Sequence, residues 1–100
     1  MSRYCFVMIV PLEVEEKLLD ELLVSFSTDV FTSAPTFTHG VAPSDLRADE
    51  QVLGRRRAMQ VQVLVTPANA KRLRQMLSEK FANAGLHYWI LPVIAEGDVL

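Results

Sequence analysis

Two stretches of this sequence are apolar on both sides of an extended backbone, and that limits the folds open to the chain more than any other feature. Tyr4 to Val10 is an unbroken apolar run rich in β-branched and aromatic types, stopped by Pro11, and reads as a buried strand. Side chains alternate across a strand, so Tyr4, Phe6, Met8 and Val10 take one side while Cys5, Val7 and Ile9 take the other. Leu86 to Ile94 repeats the pattern, with Trp89, Leu91 and Val93 set against Tyr88, Ile90 and Pro92. A sheet containing such strands needs cover on both faces.

The segments between supply two helices. Leu18, Leu19, Leu22, Leu23 and Phe26 recur at helical spacing, and acids including Glu13, Glu15 and Glu16 gather where the helix dipole favours them. Ser27, Thr28 and Asp29 break this helix. In the second, Thr66 is the N-cap, Pro67 the first helical residue, and Ala70, Leu73, Leu77 and Phe81 the apolar stripe, with Gly85 as the stop. Two further strands are expected. Val30 to His39 is extended and rich in Thr and Phe, with Pro35 marking an edge position or a bulge. Ala58 to Val65 alternates cleanly, Met59, Val61, Val63 and Val65 against Gln60, Gln62 and Leu64. Gly40 to Arg57 carries Gly40, Pro43 and Gly54, has no sustained period, and reads as a long loop with at most one helical turn after Ser44.

The expected fold is therefore α+β, a ferredoxin-like βαββαβ domain over residues 1–100, with a four-stranded antiparallel sheet and both helices on one face. Two helices cannot bury two faces, so the second apolar face is expected to pack against other subunits, each fully buried Val, Leu or Ile contributing about 1.5–3 kcal/mol.

Composition narrows the function classes. A net charge of −2 lacks the cationic excess that phosphates or anionic lipids attract, which argues against nucleic acid as a partner. The apolar run near the start is too short for a bilayer and has no signal-peptide cleavage site. Cys5 is the only cysteine, so no intramolecular disulfide forms, and a cytoplasmic location is expected. There is no Gly-Lys-Ser/Thr phosphate loop, nucleophile elbow or helical His-Glu pair, so the chain is not expected to be an enzyme. The sequence nominates no cofactor.

Two sets of residues remain as candidates. Arg55, Arg56 and Arg57, after Gly54 and in the same loop as Arg47 and Gly40, either grip an anionic ligand or partner or form a solvated loop end paired with Asp45, Asp49 and Glu50. His39 and His87, the only histidines, are the candidate zinc or copper ligands, with Cys5, Glu96 and Asp98 the other plausible donors; no two show a ligand-type spacing.

The closing segment Ala84-Gly85-Leu86-His87-Tyr88-Trp89-Ile90-Leu91-Pro92-Val93, with the strand and helix layout and the long middle loop, resembles the PII-like signalling proteins. Together with Glu50-Gln51-Val52-Leu53-Gly54-Arg55-Arg56-Arg57, it is similar to a subgroup of unknown function often encoded beside heavy-metal efflux transporters. The resemblance implies a homotrimer with clefts between subunits, each roofed by the loop 41–57, where a small effector is sensed and a membrane transporter contacted. It does not carry ATP binding over. Glu96 and Asp98 stand where nucleotide-binding relatives have cations, the glycine-rich turn is reduced to Thr38-His39-Gly40, and the loop has no tyrosine for uridylylation.

Overall fold

The computed structural model describes residues 3–40, 47–48 and 54–100. The helical turn expected after Ser44 lies outside the described residues. Strand β1 (Arg3–Pro11) leads through a short 3-10 turn (Leu12–Val14) into helix α1 (Glu15–Ser25); β2 (Phe31–His39), β3 (Arg55–Val65), helix α2 (Pro67–Lys80) and β4 (His87–Val93) follow. The strands form one antiparallel sheet in the order β2-β3-β1-β4. The chain is thus α+β, with an open four-stranded antiparallel sheet and two helices, connected in the split β-α-β order expected from the sequence.

Register explains the core. Phe6 stands opposite Val63 and Ile90, and Met8 opposite Val61 and Tyr88, so one side of the central strands is continuously apolar. Leu18, Leu22 and Phe26 of the α1 region, and Ala70, Leu73, Met76, Leu77 and Phe81 of the α2 region, close on that side in a single cluster. The Tyr88 ring stacks on Phe6 with centroids 5.0 Å apart, and its hydroxyl accepts from Arg74 Nε at 3.1 Å. Between the helices, Lys80 pairs with Glu21 at 3.0 Å and the Arg72 guanidinium lies 4.9 Å over the Phe26 ring. These contacts are solvent-exposed and add little beside the apolar burial.

Prolines fall where a missing N–H is harmless. Pro35 and Pro92 lie on β2 and β4, the two edge strands. Pro11 ends β1, as its last residue, paired with Ala58 at a level that β4 does not reach. The Thr66 cap forms as read, its Oγ1 accepting from Asn69 N at 3.1 Å.

The structure departs from expectation at several places. Helix α2 ends at Lys80, since Phe81 (φ −127, ψ 20) already leaves helical geometry while its N–H still donates to Leu77 O; Asn83 (φ 61) and Gly85 (φ 83) then turn the chain into β4. Leu23 is 59% exposed, so the α1 stripe narrows to Leu18, Leu22 and Phe26, with Leu19 half-buried beside it. The last strand runs His87–Val93 and leaves Leu86 and Ile94 outside it. Most consequential, β3 begins at Arg55, so Arg55–Arg57 belong to a strand paired with Phe37–His39 and not to a loop. Among the described residues no helix is long and apolar enough to cross a membrane.

Leu73, fully buried, is expected to cost about 2–5 kcal/mol on replacement by alanine. Thr66→Ala is expected to cost about 1 kcal/mol through the lost cap, and Leu23→Ala less than about 0.5 kcal/mol. Urea unfolding of the three variants checks the order; equal losses at Leu73 and Leu23 would contradict the packing described.

Candidate functional site

The side of the sheet away from the helices is open and chemically graded. By register, Cys5, Val7 and Ile9 of β1 share it with Leu91, Trp89 and His87 of β4, with Leu64, Gln62 and Gln60 of β3, and with Thr32, Ala34 and Thr36 of β2. The β1–β4 half is apolar and the β3–β2 half is polar but nearly uncharged. Val7 is only 3% exposed between its strand neighbours, whereas Trp89 and Leu91 are 39% and 48% exposed.

Polar groups on this face satisfy one another. Gln62 Nε2 donates to Gln60 Oε1 at 3.1 Å, and the Cys5 thiol donates weakly to Gln62 Oε1 at 3.5 Å. Burial pushes the Cys5 thiol above its ordinary pKa by disfavouring the thiolate, which fits the sequence reading of Cys5 as a small hydrophobe. At the far end of the sheet Arg3 Nε meets Glu96 Oε1 at 2.9 Å.

Where β2 and β3 run past the helices they form an arm, and the candidate residues collect around it. On the open side a groove of about 320 Å³ is bounded by Ile9, Gln60, His87, Trp89 and residues Thr36 to His39. The two histidines, distant in sequence, line this same groove, and the His87 ring lies 5.9 Å from the Trp89 ring. A recess of about 100 Å³, sharing Ile9, Thr38 and His87 with it, contains Arg56.

The arginine triplet does not form one cluster. Strand alternation places Arg56, opposite Thr38, on one side and Arg55 and Arg57, opposite His39 and Phe37, on the other. The Arg55 guanidinium packs 4.0 Å over the Phe37 ring, while its Nε is sealed from solvent without an acceptor among the described residues. Arg57 lines a separate hollow of about 400 Å³ with Leu12, Pro35, Phe37 and Met59. Gly40 (φ 78) and Gly54 (φ 67) lie just beyond the paired ends of the arm, and their part is conformational: the left-handed backbone there suits glycine. Arg47 is exposed.

No group of three or more His, Cys, Asp or Glu suited to a metal occurs among the described residues. Cys5 and Glu96 do not line the groove that holds the histidines. Phe37 is the participant that reading the sequence missed. The signal available was the Thr36-Phe37-Thr38 alternation, which pairs in phase with Ala58, Arg57 and Arg56.

A raised thiol pKa predicts that iodoacetamide alkylates Cys5 more slowly at pH 7 than it does a free cysteine, with the rate still climbing above pH 9.0. Faster-than-free alkylation would show an activated thiol and contradict this environment.

Two solved structures share the fold. A DUF3240 family protein from Shewanella baltica OS155 superposes with a TM-score of 0.78 at 17% identity, over 100% of this chain and 99% of that one. A Bacillus cereus protein related to NIF3 superposes with a TM-score of 0.68 at 11% identity, over 97% of this chain but 26% of its own length. At such identities the likeness is one of fold. No curated protein matches the chain. The family of proteins of unknown function DUF3240 matches residues 1–100, and the chain belongs to it.

Proposed function

We propose that this protein is a non-catalytic, cytoplasmic PII-like regulator on a ferredoxin-like fold, which assembles as a homotrimer through the open sheet face and senses a small effector between subunits. The observation that carries the reading is the open face itself, where Trp89 and Leu91 project outward beside half-buried Cys5 and Ile9. Apolar surface of this kind favours association at about 25 cal/mol per Å² removed from water. The cleft lies where the arm borders that face. Its lining offers the Thr36 and Thr38 hydroxyls, the Gln60 amide, two imidazoles and, in the adjoining recess, one guanidinium. That set, with a single guanidinium, suits a small polar effector with one anionic group better than a triphosphate. Segment 41–57 is the natural contact for a partner. On the PII-like resemblance, that partner is a membrane transporter of the heavy-metal efflux type.

Native mass spectrometry, with the protein alone and then with ATP, cyclic nucleotides and simple anionic metabolites, tests this reading. A trimer taking up to one ligand per subunit is expected, with Arg56→Ala weakening uptake about tenfold or more while the trimer persists. A monomer, or uptake indifferent to Arg56, would refute it.

A second reading has an observation of its own, the convergence of His39 and His87 on one groove. It is direct zinc or copper binding, completed by donors from another subunit, because two ligands are fewer than a zinc site uses. Equilibrium dialysis is expected to show uptake that the His39→Ala/His87→Ala variant loses. Unchanged uptake in that variant would discard the reading.

A further inference from the structure

The side of the arm nearer the helices carries apolar and cationic surface that the effector reading does not use. Leu12 and Phe37 are both 44% exposed there, on a hollow that also contains Pro35, Met59 and Arg57. The Arg55 guanidinium lies 4.0 Å over the Phe37 ring that borders the hollow and adds a second cation beside Arg57. The complementary chemistry is present in the same chain. After β4, Asp98 is followed by Val99 and Leu100, all exposed, and both apolar side chains are entirely in solvent.

The two surfaces cannot meet within one molecule. Val93 pairs with Arg3 at one end of β1, whereas the arm departs beyond Pro11 and Ala58 at the other. Those ends are about 26 Å apart, eight steps of about 3.3 Å. Glu96 is tied to Arg3 at the wrong end, and the residues from Gly97 to Leu100 span at most about 14 Å. A second copy removes the obstacle.

We infer that segment 97–100 of one copy docks into the hollow of another copy's arm, Asp98 facing Arg57 and Arg55, with Val99 and Leu100 on Phe37, Leu12 and Met59. The inference rests on the reading that the chain self-associates, and it adds which surfaces meet. The contact is heterologous, so successive copies are related head to tail and close into a ring when the rotation allows. It also assigns the arginines separate tasks, Arg56 to the effector groove and Arg55 with Arg57 to the neighbouring subunit.

A charge-swap cycle read by sedimentation equilibrium tests the pairing. Arg57→Glu and Asp98→Arg are each expected to weaken self-association about tenfold or more, and the double variant to recover most of the loss. Circular dichroism controls for folding, and Leu100→Asp, remote from the core, is expected to weaken association without changing the unfolding midpoint. If the wild type associates and none of these variants alters it, the docking is wrong while the self-association reading stands. If Arg57→Glu alone acts, or the double variant recovers nothing, some other group occupies the hollow and the pairing is likewise overturned. A monomeric wild type overturns both.

Discussion

The structure depends on a mismatch between the sheet and the helices available to cover it. β1 is central and apolar on both sides, so Phe6, Met8 and Val10 can be buried under α1 and α2 only by turning Cys5, Val7 and Ile9 the other way. β4, beside it, has the same character and adds Trp89 and Leu91 to the second face. No other described element lies over that face. An antiparallel sheet with one face in water usually alternates apolar with polar residues; here β1 and β4 do not, and the polar side chains come from β3, through Gln60 and Gln62, and from the threonines of β2.

That exception has its own logic. The Gln60–Gln62–Cys5 chain makes two hydrogen bonds internally, so it can be covered by another surface at lower desolvation cost than fully unpaired amides would incur. Charges, by contrast, are displaced to the ends. Arg3 and Glu96 pair at one end of the sheet, and Arg56 stands on the open side of the arm at the other. The middle is therefore neutral and apolar to polar, flanked by charge, which is the layout of an interface core inside its rim.

Much of the fold was legible because it rests on short-range rules. The two-sided apolar strands, the Thr66-Pro67 helix start and the edge placement of Pro35 and Pro92 all follow from side-chain alternation, capping and the missing proline N–H. The errors arose where a partner distant in sequence decides the outcome. Three consecutive arginines carry no apolar alternation, so nothing local marks them as strand; pairing with Phe37 to His39 and the Arg55–Phe37 stack extend β3 over them. The same blindness made the triplet look like one cationic cluster when it is divided between two sides. The convergence of His39 and His87 was hidden for the same reason, since strands at opposite edges of the sheet bring them to one groove.

Trp89, the chain's only tryptophan, lies on the open face and reports directly on whether a second copy covers it. Its fluorescence should be followed while the protein is diluted from micromolar to nanomolar concentration, with acrylamide quenching at each step. Blue-shifted, quench-protected emission that moves to the red and becomes quenchable on dilution is expected if a second copy covers Trp89. Emission and quenching that stay the same at every concentration, red and accessible, would show the face bare in solution and rule that cover out.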